Sequence, residues 1–454
     1  MAGAILGLLT ARTDACAQPG PYHNHLVGER ALGLAGAFVA VADDPSAIFH
    51  NPAGISALGT GAVSTSLLAR AYRERRIAVG LETSFGSGAL DHVAIPSLPT
   101  FLGAVIKLGD REDDGVRPHT LGFTVFNPKR DEYRFATTVT DANGANVRQL
   151  DIIHDDNALW IGLGYAYRLT PALSAGAGVF GVVHGIEHSE FELAGSQGGA
   201  LVGRRASLDA MHTRLVGRVG LRYVLSPVVQ FGLMLQPGAV PLTDAAETTR
   251  VRPAETGENP TGFVLAQSEP VSTSYVLPWE IRGGASFRPE VNTLLTLDLW
   301  WRTGGREEHH PLADSGNAFV LLPRRAPGGD QLGIASGFEW VIDERVPLRG
   351  GLLWISPRGS SLPGTSGQYF EDHASTIGAA LSVGIRHGEL DLSLGATVLI
   401  SDGDAMGLAR TQGFDDPSYR STSVTDRSVF MYLAGGRHAV RALALQVRPD
   451  LDDD

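Results

Sequence analysis

The fold is decided by a stretch that alternates strictly between apolar and polar residues. It runs ELDLSLGATVLI from Glu389 to Ile400. Apolar side chains occupy every second position, and acidic, hydroxyl and glycine residues fill the positions between them. Successive side chains of a β-strand point to opposite faces, so this period of two predicts a strand with one apolar and one polar face.

The preceding segment alternates in the same way and is joined to the first one by a tight turn. Between Ser375 and Arg386 the odd positions from Ile377 onward are apolar, and the even positions are small or polar. Only His387 and Gly388 separate the two segments, which is the length of a tight hairpin connection. The pair therefore predicts an antiparallel β-hairpin.

The same alternation recurs along most of the chain. It is clearest at 157–168, 214–224, 291–301 and 331–340. Counting all such segments predicts about fourteen strands. They lie near residues 61–84, 99–109, 119–127, 157–169, 172–193, 206–225, 228–237, 274–288, 291–302, 330–342, 345–356, 374–387, 389–401 and 427–448.

The connections between these strands alternate between short and long, as in bacterial outer-membrane barrels. The short ones, which would be periplasmic turns, are 169–171, 225–227, 288–290, 343–345 and 387–388. The long polar ones, which would be extracellular loops, are 110–118, 141–156, 195–205, 241–273, 304–330, 357–372 and 402–426.

A soluble β-sandwich would also alternate, so period two alone leaves both architectures open. The chain has no run of about 20 apolar residues, so a membrane-embedded form must be a closed barrel, in which every backbone group is paired. Small residues on the polar face favour the barrel, as do aromatic residues near strand ends that would form girdles at the membrane interfaces. These aromatics are Tyr165, Tyr167, Tyr223, Trp300, Trp301, Trp340 and Trp354. We therefore predict an all-β transmembrane barrel.

Composition excludes several classes of function. Among 454 residues, 37 Lys and Arg stand against 49 Asp and Glu, and the net charge of −12 argues against a nucleic-acid partner. A single cysteine, Cys16, excludes a disulfide framework. Paired histidines at 23 and 25 and at 309 and 310 lack a third ligand at fixed spacing, so no metal site is predicted. No spacing points to a nucleotide loop or a catalytic triad, so neither a cofactor nor an enzymatic activity is expected.

The chain divides into four segments by pattern. Residues 1–17 have a short apolar core and a small-residue cleavage site, which predicts a signal peptide and export; lipidation at Cys16 is the alternative. Residues 18–60 do not alternate and predict a compact element of helices and loops. Residues 61–448 form the barrel, and 449–454 form an acidic tail.

Within the second segment, Gly28 to Gly54 reads GERALGLAGAFVAVADDPSAIFHNPAG. Asp43-Asp44-Pro45-Ser46 predicts a helix start and Asn51-Pro52-Ala53-Gly54 a helix stop. The stretch resembles the N-terminal hatch of the FadL family of outer-membrane transporters for long-chain fatty acids and other hydrophobic compounds. Residues 277–284, LPWEIRGG, are similar to the start of a strand that follows the long central loop in that family.

The resemblance implies a bacterial outer-membrane channel whose lumen is plugged by the hatch. It further implies an outer hydrophobic groove, an inner pocket and a kinked strand that opens the wall sideways. The hatch and gating residues would be Asp43, Asp44, Asn51, Pro52, Ala53 and Gly54. The expected partners are a fatty acid or an aromatic hydrocarbon as cargo, outer-membrane lipid and lipopolysaccharide, and the barrel-assembly machinery.

Charged residues on the predicted lumen face have two interpretations. Arg214, Arg218 and Arg222 recur on one strand, and Arg282, Arg349 and Arg386 lie on others, so they could hold a carboxylate. Acidic residues on the same face favour a network of ion pairs between wall and hatch instead. These acidic residues are Asp298, Glu339, Glu389 and Asp391.

Three functions remain open at this stage. The first is a passive channel for hydrophobic molecules, with the hatch as its gate. The second is a barrel of the same family that moves no cargo and serves a secretion or assembly machine, as PorV-like relatives do. The third is a barrel enzyme that acts on lipids.

Overall fold

The structure, a computed structural model, describes residues 27–58, 61–94, 101–110, 117–196, 201–253, 264–271, 277–304, 329–410 and 418–437. The predicted signal peptide, the acidic tail, the four paired histidines and most of the loop 304–330 lie outside these residues.

The N-terminal part of the described chain contains three short helical elements. They are α1 (Glu29–Gly33), α2 (Ala47–His50) and a 3₁₀ helix (Pro52–Ala57). The predicted helix start is confirmed, since α2 follows Ser46 directly and Asp44 Oδ1 accepts the Ser46 backbone N–H at 2.7 Å. Asn51 ends α2 and places its side-chain oxygen against the Ala53 N–H at the start of the 3₁₀ helix. No helix of the described residues is long and apolar enough to cross a membrane.

Eighteen β-strands make up almost all of the rest. They are β1 (Ala62–Thr83), β2 (Gly86–Ala94), β3 (Phe101–Leu108), β4 (His119–Thr140), β5 (Asn146–Arg168), β6 (Leu173–Ser196), β7 (Val202–Val224), β8 (Val229–Gln236), β9 (Val240–Pro253), β10 (Val264–Pro270), β11 (Glu280–Glu290), β12 (Thr293–Arg302), β13 (Gln331–Ile342), β14 (Val346–Ile355), β15 (Thr365–Ser366), β16 (His373–His387), β17 (Leu390–Arg410) and β18 (Ser418–Arg437).

The strands close into one antiparallel barrel, as predicted. Most wall strands pair with the next strand in the chain, while β8 pairs with β11 and β14 pairs with β16. β1 pairs with β18 from Val63↔Arg437 to Ile77↔Val424, which joins the two ends of the sheet. The barrel has fifteen strands, one more than predicted, because β2 and β3 pair with different parts of β1. β9, β10 and β15 lie outside the ring; β9 extends the sheet along the upper part of β7 and pairs with β10.

The outer face of the wall carries the apolar side chains that the alternation predicted. Leu163 is 66% exposed, Leu381 70% and Val219 49%. Trp340 and Trp354 also lie outside, whereas Trp300 is buried and faces the lumen, which corrects its assignment to an aromatic girdle. Trp300 follows Leu299 directly and so points to the opposite side of β12.

The short turns all lie at one end of the barrel, together with the start of β1 and the end of β18. The prediction that 110–118 is an extracellular loop is wrong, because β3 and β4 meet at this same end. There His119 pairs with Tyr167, and the Arg168 N–H donates to the Pro118 carbonyl at 3.1 Å. We call this the turn end and the opposite end the loop end.

Several predicted loops are strand instead. β4 to β7 are 22 to 24 residues long, whereas β8 and β11 to β14 have 8 to 12. Most of the predicted loop 141–156 thus belongs to β5, and much of 402–426 to β17 and β18. A strand needs only about 9 to 11 residues to cross a membrane, so one side of the wall rises well beyond the apolar band. The sequence did not show this because the outward positions there are polar.

Candidate functional site

The segment from Val27 to Leu58 lies inside the barrel, and nearly all of its residues are buried. The segment can lie close to the wall because pairs of glycines, which have no side chain, lie opposite each other on neighbouring strands of the wall. A Cβ on Gly176 would lie 2.5 Å from Ala53 N, and one on Gly232 would lie 2.7 Å from the Val39 carbonyl carbon. The paired glycines are Gly122 with Gly164, Gly176 with Gly220, Gly232 with Gly284, and Gly337 with Gly351. We call residues 27–58 the hatch.

Asn51 connects two parts of the hatch to the wall. Its Nδ2 donates to the Val39 carbonyl at 2.9 Å and to the Leu221 carbonyl of β7 at 3.0 Å, while its Oδ1 accepts from Ala53 N–H. Pro52, Ala53 and Gly54 are buried beside it. Gly54 is required within the hatch, since a Cβ there would collide with the Ala42 backbone.

The charged residues of the hatch bind charged residues of the wall. Arg30 donates to both oxygens of Glu339 at 2.8 and 2.9 Å and to Asp43 at 2.6 Å. Arg349 donates to the same Glu339 at 2.7 Å. Glu29 accepts from Ser393 at 2.7 Å. These bidentate, largely buried ion pairs fix α1 against β13, β14 and β17.

Asp43 and Asp44 therefore have different surroundings although they are adjacent. Asp43 binds Arg30 and so belongs to this ion-pair group. Asp44 Oδ1 accepts from the Ser46 backbone and hydroxyl, which stabilises the start of α2 from within the hatch.

A second wall contact involves Asp298 of β12 and Arg282 of β11. Asp298 Oδ2 accepts the backbone N–H groups of Phe38 and Val39 at 2.9 and 3.0 Å, and Arg282 Nε donates to the same oxygen at 3.2 Å. Arg282 also donates to the Gly36 carbonyl and lies 4.5 Å from the Trp300 ring centroid. A carboxylate that is fully buried and accepts three hydrogen bonds holds the Gly36–Val39 turn in place.

Arg218 contacts the hatch from the opposite side. Its Nη1 donates to the Phe49 carbonyl, its Nε donates to Gln236 at 2.8 Å, and its guanidinium lies 3.8 Å from the Phe49 ring centroid. No salt bridge joins it to a carboxylate within the described residues. It borders a buried aromatic cluster of the hatch and the wall, which consists of Phe38, Phe49, Phe101, Phe126, Trp160 and Phe180.

The six lumen residues predicted from the sequence thus face inward but do not form one network. Asp298 and Arg282 form one contact with the hatch and Glu339 another. Arg214 lies toward the loop end, where it pairs with Asp244 of β9 at 2.5 Å. Arg222 lies toward the turn end, bonded to Gln230. The prediction that Glu389 faces the lumen is wrong, because its side chain is half exposed at the hairpin after β16 and pairs with Arg437.

Buried charges and histidines also lie side by side on the inner face of the adjacent strands β4, β5 and β6. Lys129 of β4 pairs with Asp156 of β5 at 2.6 Å, and Asp156 accepts from His184 of β6 at 2.7 Å. His154 and His188 face each other with their Nδ1 atoms 3.1 Å apart. The polar composition of 141–156 predicts a loop, so His154 and Asp156 were not among the predicted lumen residues. Extending the alternation of β5 by a few residues places His154 and Asp156 on the lumen face.

The connection between β14 and β16 folds into the loop end of the barrel. Leu362, Tyr369 and Phe370 pack against an apolar cluster that includes Phe135, Ile152 and Met406. Burial raises the pKa of the Glu371 carboxyl to about 8, although Arg358 lies 4.0 Å away. We call 356–372 the inner loop.

Several solved structures are similar to this chain in fold. A FadL homologue from Pseudomonas aeruginosa aligns with 94% of this chain and 100% of its own, at 10% identity and a TM-score of 0.63. The toluene transporter TodX of P. putida aligns with 91% of this chain and 99% of its own (13% identity, TM-score 0.59). The toluene transporter TbuX of Ralstonia pickettii gives the same coverage (14% identity, TM-score 0.55). No family model and no curated protein matches the sequence. The resemblance noted at residues 28–54 is thus confirmed at the level of the fold.

Proposed function

We propose that the protein is an outer-membrane channel that passes hydrophobic small molecules, with the hatch as its gate. The observation that carries the proposal is a buried segment held in the lumen by a few discrete contacts, inside a barrel whose outer face is apolar. Apolar side chains around the outside of a closed barrel suit a lipid environment. Two of the solved structures cited above are toluene transporters, which supports a role in transport without catalysis.

The gate would work by release of the contacts at Asn51, Asp298 and Glu339. Each joins the hatch to a different part of the wall, and each uses one or two side chains. Pro52, Ala53 and Gly54 would move with Asn51, while Asp43 would separate from the wall together with Arg30. Asp44 would keep α2 folded during the movement, since its contacts with Ser46 lie within the hatch.

The aromatic cluster beside the hatch suits a hydrophobic cargo. Its rings come from the hatch and from β3 to β6 and offer apolar contact surface at the level of the gate. Two of the similar structures are toluene transporters and a third is a FadL homologue, which supports aromatic hydrocarbons and long-chain fatty acids as the cargoes to test. Arg218 at the edge of the cluster would favour a cargo with a carboxylate, because guanidinium groups bind carboxylates through paired hydrogen bonds.

Uptake by cells tests the proposal. Cells lacking the gene, and cells that express the wild type, Asn51→Ala or Asn143→Ala, receive labelled oleate or labelled toluene. Asn143 lies in the exposed turn between β4 and β5 and is the matched control. We expect uptake of at least one cargo to require the gene and to change with Asn51→Ala only. Uptake that is the same with and without the gene would refute the channel and favour a partner of a secretion or assembly machine.

A further inference from the structure

The inner loop covers an apolar surface at the loop end of the lumen. Six strands of the wall contribute buried apolar side chains to this surface, among them Leu81, Leu90, Phe135, Ile152, Met406 and Tyr419. We call it the loop-end cluster. Leu362, Tyr369 and Phe370 of the inner loop pack against it, and the ring centroids of Tyr369 and Tyr419 are 5.7 Å apart. The rings of the loop therefore keep water away from apolar wall residues.

The backbone of the inner loop is attached in a way that lets it move as one unit. Its two ends leave from neighbouring strands, because β14 pairs with β16 as far as Ile355↔Thr376. Between these ends, the two residues of β15 pair with β18, and the Ser421 N–H donates to the Gly364 carbonyl at 3.1 Å. The loop can thus leave the lumen while the ladder between β14 and β16 stays intact.

The inner loop also carries two carboxyl groups into the lumen. Asp372 forms an ion pair with Arg75 of β1 at 2.5 Å. Glu371 is buried, Arg358 lies 4.0 Å from it, and its Oε1 accepts no hydrogen bond from the residues that the structure describes. Burial of a polar group with incomplete hydrogen bonding costs free energy. The apolar packing favours the docked loop and Glu371 opposes it, so the loop is poised for release.

We propose that the inner loop is a lid that imitates cargo: its Tyr369 and Phe370 rings occupy the loop-end cluster until a hydrophobic molecule that enters from the loop end displaces them. The inference rests on the proposed channel function and adds an entry step to it. The cluster would face water without a cover, and an aromatic or aliphatic cargo offers it the same kind of surface as the two rings. A cargo that needs the open cluster binds more weakly in proportion to the fraction of molecules whose loop is docked.

The first test follows the loop itself, without transport. Hydrogen exchange of residues 356–372 is measured by mass spectrometry in lipid nanodiscs, alone and with saturating toluene or oleate. We expect at least one of the two molecules to accelerate exchange about tenfold, because it shifts the loop to the undocked state. A cargo that bound elsewhere, or beside a fixed loop, would leave the exchange unchanged or slow it. Unchanged or slower exchange with both molecules would overturn the lid.

Variants of the loop separate displacement from general loosening. The double variant Tyr369→Ala with Phe370→Ala should exchange fast both with and without cargo, because the rings that dock the loop are gone. Pro363→Ala is the matched control, since Pro363 is exposed on the same loop, and it should behave as the wild type. All proteins are compared after insertion into nanodiscs, so that unfolded material does not contribute. A double variant that exchanges as slowly as the wild type would contradict the assigned role of the rings.

The second test locks the loop on the wall. Thr365 and Arg420 are directly opposite on β15 and β18, next to the hydrogen-bonded Gly364 and Ser421, and such a pair suits a disulfide. Thr365→Cys with Arg420→Cys is made with Cys16→Ser, which removes the single native cysteine. In proteoliposomes the oxidised protein should lose cargo transfer and regain it on addition of reductant.

The outcomes distinguish the lid from the channel. Equal transfer by the oxidised and reduced proteins would refute the lid and leave the channel in place. If the wild type transfers neither toluene nor oleate, the channel proposal fails, and the exchange of residues 356–372 alone decides whether a hydrophobic molecule displaces the loop.

Discussion

Replacing Gly176 by alanine should loosen the hatch without touching its charged contacts. The added Cβ would lie 2.5 Å from Ala53 N and 2.6 Å from the Pro52 oxygen, so the hatch backbone must retreat by about 1 Å to restore ordinary contact. That shift draws Asn51 away from the Leu221 carbonyl, which now lies 3.0 Å from Nδ2. Overpacking of this kind costs about 1–3 kcal/mol and the lost hydrogen bond about 1 kcal/mol more.

A destabilisation of about 2–4 kcal/mol raises the undocked fraction of the hatch by a factor of about 30 to 1,000. The assay is ion conductance of the purified protein in planar bilayers, with protease cleavage within residues 27–58 as a second readout. Gly185→Ala is the matched control, because it lies on the same strand and a Cβ there has no atom within 4 Å. We expect more frequent open events and faster cleavage for Gly176→Ala only. Identical behaviour of the two variants would refute the idea that glycine pairs set the docking of the hatch.

Three further predictions concern the charged groups. Asp298→Ala removes the acceptor of Phe38 N–H, Val39 N–H and Arg282, so hydrogen exchange at those two amides should accelerate strongly. Thr296→Val on the same strand should leave their exchange rates unchanged, and equal rates in Asp298→Ala and the wild type would contradict the assigned contact. Burial raises the pKa of Glu371 to about 8, so the docked inner loop favours the protonated carboxyl, and docking should be strongest below pH 4.5 and weaken as the pH rises to 8. Limited proteolysis should therefore cleave 356–372 faster at pH 9 than at pH 5, and Glu371→Gln should remove that difference. Lys129→Met removes the buried cation that pairs with the fully buried Asp156, so a thermal melt should show a loss of about 3–5 kcal/mol in the free energy of unfolding. Arg76→Met, which breaks an exposed ion pair, should lower that free energy by less than about 1 kcal/mol.

The sequence predicted the parts of the fold that depend on neighbouring residues. Period two identified the strands, and the hairpin at His387-Gly388 lies where the spacing placed it. The sequence could not predict how far β4 to β7 extend, because the outward side of these strands changes from apolar to polar beyond the band. Asp151 and Asp155 on β5 illustrate this, since the same polarity suits a loop and a strand in water.

The sequence predicted which charged residues face the lumen, but not which residues they pair with. Alternation placed Asp298, Glu339 and Arg282 on the lumen face correctly, and the stretch around Asn51 indicated a plug. The partner of each charge depends on barrel closure and register, which bring Arg30 to Glu339 across 309 positions of sequence. Contacts at that separation leave no signature in the spacing of either residue.

The charged residues that face the lumen lie at two heights along the barrel, and they have different functions at each height. At the level of the hatch, Asp298, Glu339 and Arg218 bind backbone groups or charges of residues 27–58, so they act on the plug. Nearer the loop end, the pairs of Lys129 with Asp156 and of Arg73 with Asp131 join strands of the wall to each other. A cargo that moved straight down the lumen would have to pass both levels. The two levels are therefore separable, and Lys129→Met, which acts on the wall, should leave the hydrogen bonds of Asp298 and Glu339 to the hatch in place.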